Sequence, residues 1–185
     1  MSNLTLNEYQ RQAVETAIYP DEYRVTYPAL ALAGEVGEVI DKVLLDLENK
    51  DGIGKEIGGV LWYCAALSRD LDSNFGLGEE TFDRLQKIAQ VTEKANVTAT
   101  PISTAAGLAS IAGNIANAIK KTLRGDFTVE HKRDEVLTDI FEILFGCAFL
   151  CSHFGLDLGQ VAQQNLDVLR SRQERGTIMG DGDNR

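Results

Sequence analysis

The sequence predicts an all-α protein, because three features of the chain favour helices over strands. Apolar residues recur at intervals of three and four along most of the chain, the spacing that places them on one face of a helix. Alternation of apolar and polar residues over four or more positions, which would indicate a strand, is scarce. Capping residues and helix breakers divide the 185 residues into separate segments. We therefore expect a helical bundle, in which short connections make neighbouring helices antiparallel.

In the first half of the chain, local signals set the ends of four predicted helices. Thr5 followed by Glu8 is a capping-box pattern, and Pro28 suits the first turn of a helix. Lys50-Asp51-Gly52 indicates a turn. The predicted helices cover residues 5–18, 28–49, 54–70 and 79–91. The residues expected to face inward are Leu32, Val36, Val39, Ile40, Val43, Leu44 and Leu47, followed by Ile57, Val60, Leu61, Cys64 and Leu67.

In the second half, three further helices are predicted after a polar connector at 92–103. They cover residues 104–123, 129–154 and 158–172. Gly125 ends the first of these, and Asp157 with Gln160 is a weaker capping pattern for the last.

Composition and charge exclude several classes of protein. The chain has 28 acidic and 18 basic residues, a formal net charge of −10, so no basic stripe for nucleic acid is expected. No targeting signal and no apolar run of membrane-spanning length is evident, which predicts a cytoplasmic protein without a membrane partner. Three cysteines do not make a disulfide framework, and we expect buried free thiols.

The two halves of the chain can be aligned with each other. Residues 33–40 match 112–119, and residues 56–65 match 139–148, with Cys64 on Cys147. Any two amphipathic helices align to some degree, but here acids or their amide replacements also coincide, which favours a duplicated helix pair. We therefore expect one compact domain with a first repeat (1–91), a connector (92–103), a second repeat (104–175) and a tail (176–185).

Three glutamates are the strongest candidates for chemistry. Glu35 and Glu38 are three residues apart, so they share one face of a helix, and Glu56 lies on the next helix. Carboxylates that meet between neighbouring helices offer the hard oxygen ligands that Mg²⁺ prefers. A Glu-x-x-Glu pair alone is usually a solvated helix face. Gly34 and Gly37 beside this pair destabilise a helix, which suggests close approach of a ligand or another helix.

These residues carry a family resemblance. Residues 28–38 (PALALAGEVGE) and 55–63 (KEIGGVLWY) resemble the MazG-like all-α nucleoside triphosphate pyrophosphohydrolases, whose pattern is Glu-x-x-Glu, a spacer and Glu-x-x-Asp. Residues 165–178 and 180–185 resemble the tail of single-module members. The resemblance implies Mg²⁺-dependent hydrolysis of a nucleoside triphosphate to a monophosphate and pyrophosphate, with Mn²⁺ able to substitute. It implies that Glu35, Glu38 and Glu56 are catalytic metal ligands.

The chain departs from the family pattern at several positions. The final Asp of the pattern falls at Gly59, and the first pair of acids in the second half is replaced by Asn114 and Asn117. Asp139 and Glu142 keep the second pair. Either Asp139 or Glu142 completes a composite metal site with the first half, or the second half is vestigial. A catalytically inactive helical module that binds nucleotide or a protein partner is the alternative reading, and a homo-oligomer is compatible with both.

The C-terminal part offers candidate substrate ligands. Arg170, Arg172, Arg175 and Arg185 carry guanidinium groups that suit phosphate oxygens, although cations at a helix end also interact favourably with its dipole. The resemblance suggests that Asn165 presents a ligand-facing amide. Aromatic side chains could stack on a base but are more often core residues: Trp62, Tyr63 and Phe145.

Overall fold

A computed structural model describes residues 4–76, 78–95 and 99–179. These residues form an all-α structure without a β-strand, as the sequence predicts. Two short 3₁₀ helices, Val14–Thr16 and Asp21–Tyr23, lie between the first two α-helices. The α-helices are α1 (Leu6–Ala13), α2 (Thr26–Leu45), α3 (Lys50–Asp70), α4 (Phe82–Ala95), α5 (Pro101–Leu123), α6 (Val129–Phe154) and α7 (Leu158–Glu174).

The predicted capping residues fix the starts of two helices. At α1, the backbone N–H of Glu8 donates to Thr5 Oγ1 at 3.1 Å, and the N–H of Thr5 donates to Glu8 Oε2 at 3.0 Å. At α7, the N–H of Gln160 donates to Asp157 Oδ1 at 2.9 Å. These three bonds satisfy backbone donors at helix starts that have no partner within the helix.

The predicted turn at Lys50-Asp51-Gly52 is wrong. Asn49 Oδ1 accepts the backbone N–H of Gly52 at 2.9 Å and caps α3, so this helix already begins at Lys50. Asparagine is a strong N-cap, and this cap outweighs the helix-breaking tendency of Gly52. The predicted inward face of α2 is too long: the helix ends at Leu45, before Leu47, and the side chains of both Leu44 and Leu47 are exposed.

Other helices also begin or end at different residues from those predicted. The first α-helix stops at Ala13 and gives way to a 3₁₀ turn, well before residue 18. Both described ends of the predicted connector are helical, because α4 continues to Ala95 and α5 begins at Pro101. Helix α4 also begins later than predicted, at Phe82. Thr100 caps α5 and proline occupies its first turn, where a missing N–H costs nothing.

The core forms where the long helices pack on one another. Helix α2 packs against α3 and α5, α5 packs against α6, and α7 packs against α3. The predicted inner face of α3 is fully buried, and the free cysteines 64, 147 and 151 are also buried. Burial raises the pKa of the Cys147 thiol to about 12, so it stays protonated and inert. Helices α2 and α3 pack on each other, as do α5 and α6, and the duplication of this helix pair stays a prediction.

Helices α5 and α6 have the length and apolar composition that a membrane span needs. The prediction that no apolar stretch is long enough to span a membrane is therefore wrong for these two helices, judged by length and composition alone. Half of the most apolar stretch of α6 and a third of that of α5 are buried inside the protein. This is weak evidence for a membrane, because the core helices of soluble proteins have the same features.

Candidate functional site

A large cleft of about 1170 Å³ lies between α2, α3, α7 and the segment that joins α1 to α2. Its lining includes all three glutamates that the sequence singles out. Their positions follow from the packing of α2 on α3, which brings the Glu-x-x-Glu face of one helix against the second turn of the next. Acidic, basic and aromatic side chains all line this cleft.

Glu35, Glu38 and Glu56 form an acidic cluster at this cleft. One carboxylate oxygen from each lies within 4.8 Å of the others. Glu56 is buried, Glu35 is half-buried and Glu38 is exposed, so the cluster extends from the protein interior to solvent. Lys55 Nζ lies 3.9 Å from Glu56 Oε1 and partly offsets the negative charge. Three hard oxygen donors at this spacing can hold a divalent cation.

The glycines near this cluster differ in what surrounds them. A β-carbon built on Gly59 would overlap Glu35 Oε2 and lie 2.7 Å from Glu35 Cδ, so the carboxylate of Glu35 rests directly on α3. A β-carbon on Gly58 would lie 3.1 Å from Asn165 Cβ, so this glycine allows the close approach of α7. No described atom lies within 4 Å of a β-carbon built on Gly34 or Gly37. The suggested approach of another helix to those two residues is therefore not found.

The predicted substrate ligands separate into two groups. Asn165 and Arg172 line the cleft, and the hydroxyl of Tyr9 donates to Asn165 Oδ1 at 2.8 Å, which fixes this amide. Arg170 and Arg175 lie outside the cleft lining: Arg170 donates to the side chain of Gln12, and Arg175 Nε donates to the carbonyl of Ser171 at 3.2 Å. The remaining candidate, Arg185, lies outside the described residues.

The cleft also has an aromatic wall, which the sequence analysis found only in part. Tyr19 and Tyr27 stack with their ring centroids 4.9 Å apart, and Tyr63 lies beside them. Trp62 is buried at the edge of the cleft and donates from Nε1 to the carbonyl of Ala13 at 3.0 Å, so it is mainly a core residue. The tyrosines at 19, 23 and 27, spaced four apart around the start of α2, were the sequence signal for this wall. Lys55 is a further residue of the cleft lining that the sequence analysis did not single out.

Asp70 at the end of α3 holds the aromatic wall in place. Its side chain is fully buried and accepts hydrogen bonds from Tyr19 Oη at 2.9 Å, Val25 N at 3.0 Å and Arg69 Nε at 2.6 Å. Val25 starts α2 with φ of 65°, a backbone conformation that costs a β-branched residue free energy. Burial and the charge of Asp70 raise the pKa of Tyr19 to about 12, so its hydroxyl remains a donor.

The acids of the second half do not join the acidic cluster. Glu142 lines a separate cleft of about 350 Å³ between α5 and α6, together with Phe145. Neither Asp139 nor Glu142 belongs to the metal-compatible group or lines the large cleft. The composite site predicted from the sequence is therefore not assembled in this structure. Asn114 and Asn117 are exposed on α5, where Asn117 Oδ1 accepts from Lys120 Nζ at 2.6 Å.

Asp139→Asn is expected to stabilise the protein at neutral pH. Burial, followed by the charges of Glu142 and Glu135, raises the pKa of Asp139, so the folded protein binds this proton more tightly than the unfolded chain. Ionised Asp139 thus lowers stability once the pH exceeds its unfolded value of about 3.9. Urea unfolding should show a small gain for the variant at about pH 7 that disappears near pH 3. A gain that persists at the acidic pH, or a loss at neutral pH, would contradict this explanation.

Taken together, the fold and the cleft define a class of protein: an all-α bundle in which glutamates from two neighbouring helices share a large cleft. No protein-family model matches the sequence, and no solved structure matches it. Over 82 residues the chain is 42% identical to the Gene 37 protein of Mycobacterium phage L5, a match that covers 43% of this chain and 71% of that protein. The chain belongs to the family of this phage protein. The name of that relative states no activity.

Proposed function

We propose that the protein is a Mg²⁺-dependent nucleoside triphosphate pyrophosphohydrolase of the cytoplasm. It would cleave the bond between the α and β phosphates and release a nucleoside monophosphate and pyrophosphate. The observation that supports this proposal best is the convergence of Glu35, Glu38 and Glu56 in the lining of a cleft that is large enough for a nucleotide. The resemblance of residues 28–38 and 55–63 to MazG-like enzymes supports the same chemistry.

The acidic cluster fits a magnesium ion in donor type and spacing. Oxygen ligands of an octahedral Mg²⁺ are about 3 Å apart when adjacent and about 4 Å apart when opposite, so three carboxylates within 4.8 Å of one another would have to draw closer together around the ion. Glu35, Glu38 and Glu56 would hold the ion, and Mn²⁺ would substitute because it accepts the same ligands. When bound, the ion would neutralise phosphate oxygens and lower the pKa of an attacking water.

Other side chains of the cleft would bind and orient the substrate. Arg172 and Lys55 bring positive charge to the same cleft as the acidic cluster, where a triphosphate would lie. The stacked pair Tyr19 and Tyr27 offers flat apolar faces to a base. A carboxylate oxygen of the cluster that does not bind the cation would accept the proton of the attacking water.

A second candidate function follows from the incomplete acid pattern. Gly59 replaces the last acid of the MazG-like pattern, and the second half carries Asn114 and Asn117 in place of acids. These replacements favour a catalytically inactive module that binds a nucleotide or a protein partner in the same cleft. Such a module would bind nucleotide without releasing pyrophosphate.

An assay of pyrophosphate release separates the two candidates. The purified chain is incubated with a panel of ribo- and deoxynucleoside triphosphates and Mg²⁺, and pyrophosphate and monophosphate are measured. The proposal predicts equal amounts of both products, and no reaction when Mg²⁺ is chelated. A nucleotide-dependent rise in melting temperature without any product would favour the inactive module instead.

A further inference from the structure

The chain turns sharply where α7 ends. The backbone N–H of Thr177 donates to the carbonyl of Arg172 at 2.8 Å, and the N–H of Gly176 donates to the carbonyl of Gln173 at 3.0 Å. Gly176 has a φ of 67°, in the left-handed region of backbone conformation. This pair of bonds around a left-handed glycine is the Schellman motif, which ends a helix and turns the following chain away from the helix axis.

The turn brings the residues after α7 into the large cleft. Ile178 and Met179 both line this cleft, and so does Arg172 on the last turn of α7. Because the carbonyl of Arg172 accepts the N–H of Thr177, the residue that brings a guanidinium to the cleft also anchors the chain that turns into it. We call residues 176–179 the strap. The strap reaches the cleft of its own chain.

Two other helices end in the same way, but their turns lead elsewhere. Gly125 after α5 has a φ of 85° and Gly155 after α6 a φ of 69°, each with the same pair of backbone hydrogen bonds. Neither of these glycines lines the large cleft. No described atom lies within 4 Å of a β-carbon built on any of the three glycines. A substitution at each of them therefore acts through backbone conformation and not through a clash.

We propose that the strap completes the nucleotide site within one chain, and that Gly176 is the positioning residue that turns the strap into the cleft. This inference rests on the proposed function, because it takes the large cleft to be the nucleotide site. The half-buried side chain of Ile178 would contact the bound nucleotide and exclude water from that side of it. A residue that disfavours the left-handed conformation at position 176 would release the strap and weaken nucleotide binding.

Two variants of nearly equal side-chain size separate backbone conformation from bulk. Asparagine adopts the left-handed region readily, whereas valine is strained there because it is β-branched. We expect Gly176→Val to raise the KM for the triphosphate that is hydrolysed best by about five- to tenfold with kcat nearly unchanged, since the strap would contribute to binding and not to the chemical step. Gly176→Asn should keep a KM within about twofold of the wild type.

Gly125→Val is the matched control, because it strains the equivalent turn after α5, outside the cleft. We expect this control to lower the melting temperature, since its turn joins two core helices, and to keep the wild-type KM. Gly176→Val should leave the melting temperature nearly unaltered, because no residue of the strap is fully buried.

Trypsin cleavage tests the strap without any hydrolysis of nucleotide. Trypsin cleaves after arginine, so the Arg175–Gly176 bond reports on the strap, and the Arg124–Gly125 bond at the equivalent turn after α5 is an internal reference. Cleavage of each bond is followed by mass spectrometry, with and without Mg²⁺ and the α,β-imido analogues of the four deoxynucleoside triphosphates. We expect an analogue to slow cleavage at Arg175–Gly176 about fivefold or more in the wild type but not in Gly176→Val, and to leave the reference bond unaffected.

The outcomes separate this inference from the proposed function. The inference is overturned if Gly176→Val keeps the wild-type KM, if Gly176→Asn is impaired as strongly as Gly176→Val, or if no analogue protects the Arg175–Gly176 bond. If an analogue protects this bond but no triphosphate is hydrolysed, the strap belongs to a nucleotide-binding module and the proposed hydrolysis is wrong. If triphosphates are hydrolysed but the bond is not protected, the hydrolysis stands and the strap has no part in it.

Discussion

Glu38→Gln is expected to reduce pyrophosphate release from a nucleoside triphosphate by about 100-fold or more. The amide keeps the size of the side chain but removes one of the three negative charges that would hold the cation. Glu38 is exposed, so this change should leave the melting temperature of the metal-free protein unaltered. The loss should appear in kcat at saturating substrate, and an excess of Mg²⁺ should recover part of it.

Glu48→Gln is the control for this variant. It makes the same chemical change at an exposed residue in the turn between α2 and α3, outside the lining of the large cleft. We expect its turnover to equal that of the wild type. If both variants hydrolyse triphosphates at the wild-type rate, the acidic cluster has no part in the reaction, and the site must be sought elsewhere.

Asp70→Asn is expected to lower the free energy of unfolding by about 2–4 kcal/mol, and the melting temperature by about 5–15 °C. The amide keeps the shape of the side chain but loses the charge that Arg69 and Arg24 face, and one of its two oxygens becomes a donor. Tyr19 and the N–H of Val25 share Oδ2 of Asp70, and the two arginines share Oδ1, so one of these two pairs of donors then loses its acceptor. The two arginines are partly exposed, which keeps the effect below that of a fully buried ion pair.

Asp72→Asn is the matched control for the Asp70 variant. Asp72 lies two residues further on, its side chain is 93% exposed, and it contacts the same Arg24 at 3.9 Å. Its φ of 51° is one that asparagine adopts readily, so the change should alter stability by less than about 0.5 kcal/mol. Urea unfolding of both variants measures the difference. Equal stabilities for the two would mean that Asp70 does not hold the start of α2.

The sequence was sufficient for the local part of the structure. A three-residue spacing places Glu35 and Glu38 on one helix face whatever the rest of the fold does, and the cap at Thr5 needs only Glu8. Where two local signals compete, the sequence does not rank them: Asn49 as a cap and Gly52 as a breaker suggest different starts for α3.

Features that depend on how helices are placed could not be derived from the sequence. The relation between Gly59 and Glu35 exists only because α2 packs on α3 at one particular height. Glu142 aligns with the acids of the first half, yet the packing of α5 on α6 gives it a cleft of its own. Arg170 and Arg172 are only two residues apart, but two helical steps turn the side-chain direction by about 200°, so only Arg172 faces the large cleft.

The central claim is that glutamates from two neighbouring helices hold one divalent cation. Anomalous diffraction from a crystal soaked in Mn²⁺ tests this claim most directly, because it locates the metal without reference to activity. We expect a peak bounded by carboxylate oxygens of Glu35, Glu38 and Glu56, with Asp139 and Glu142 outside the coordination sphere of the metal. A cleft without an anomalous peak, with these three side chains turned separately to solvent, would contradict it.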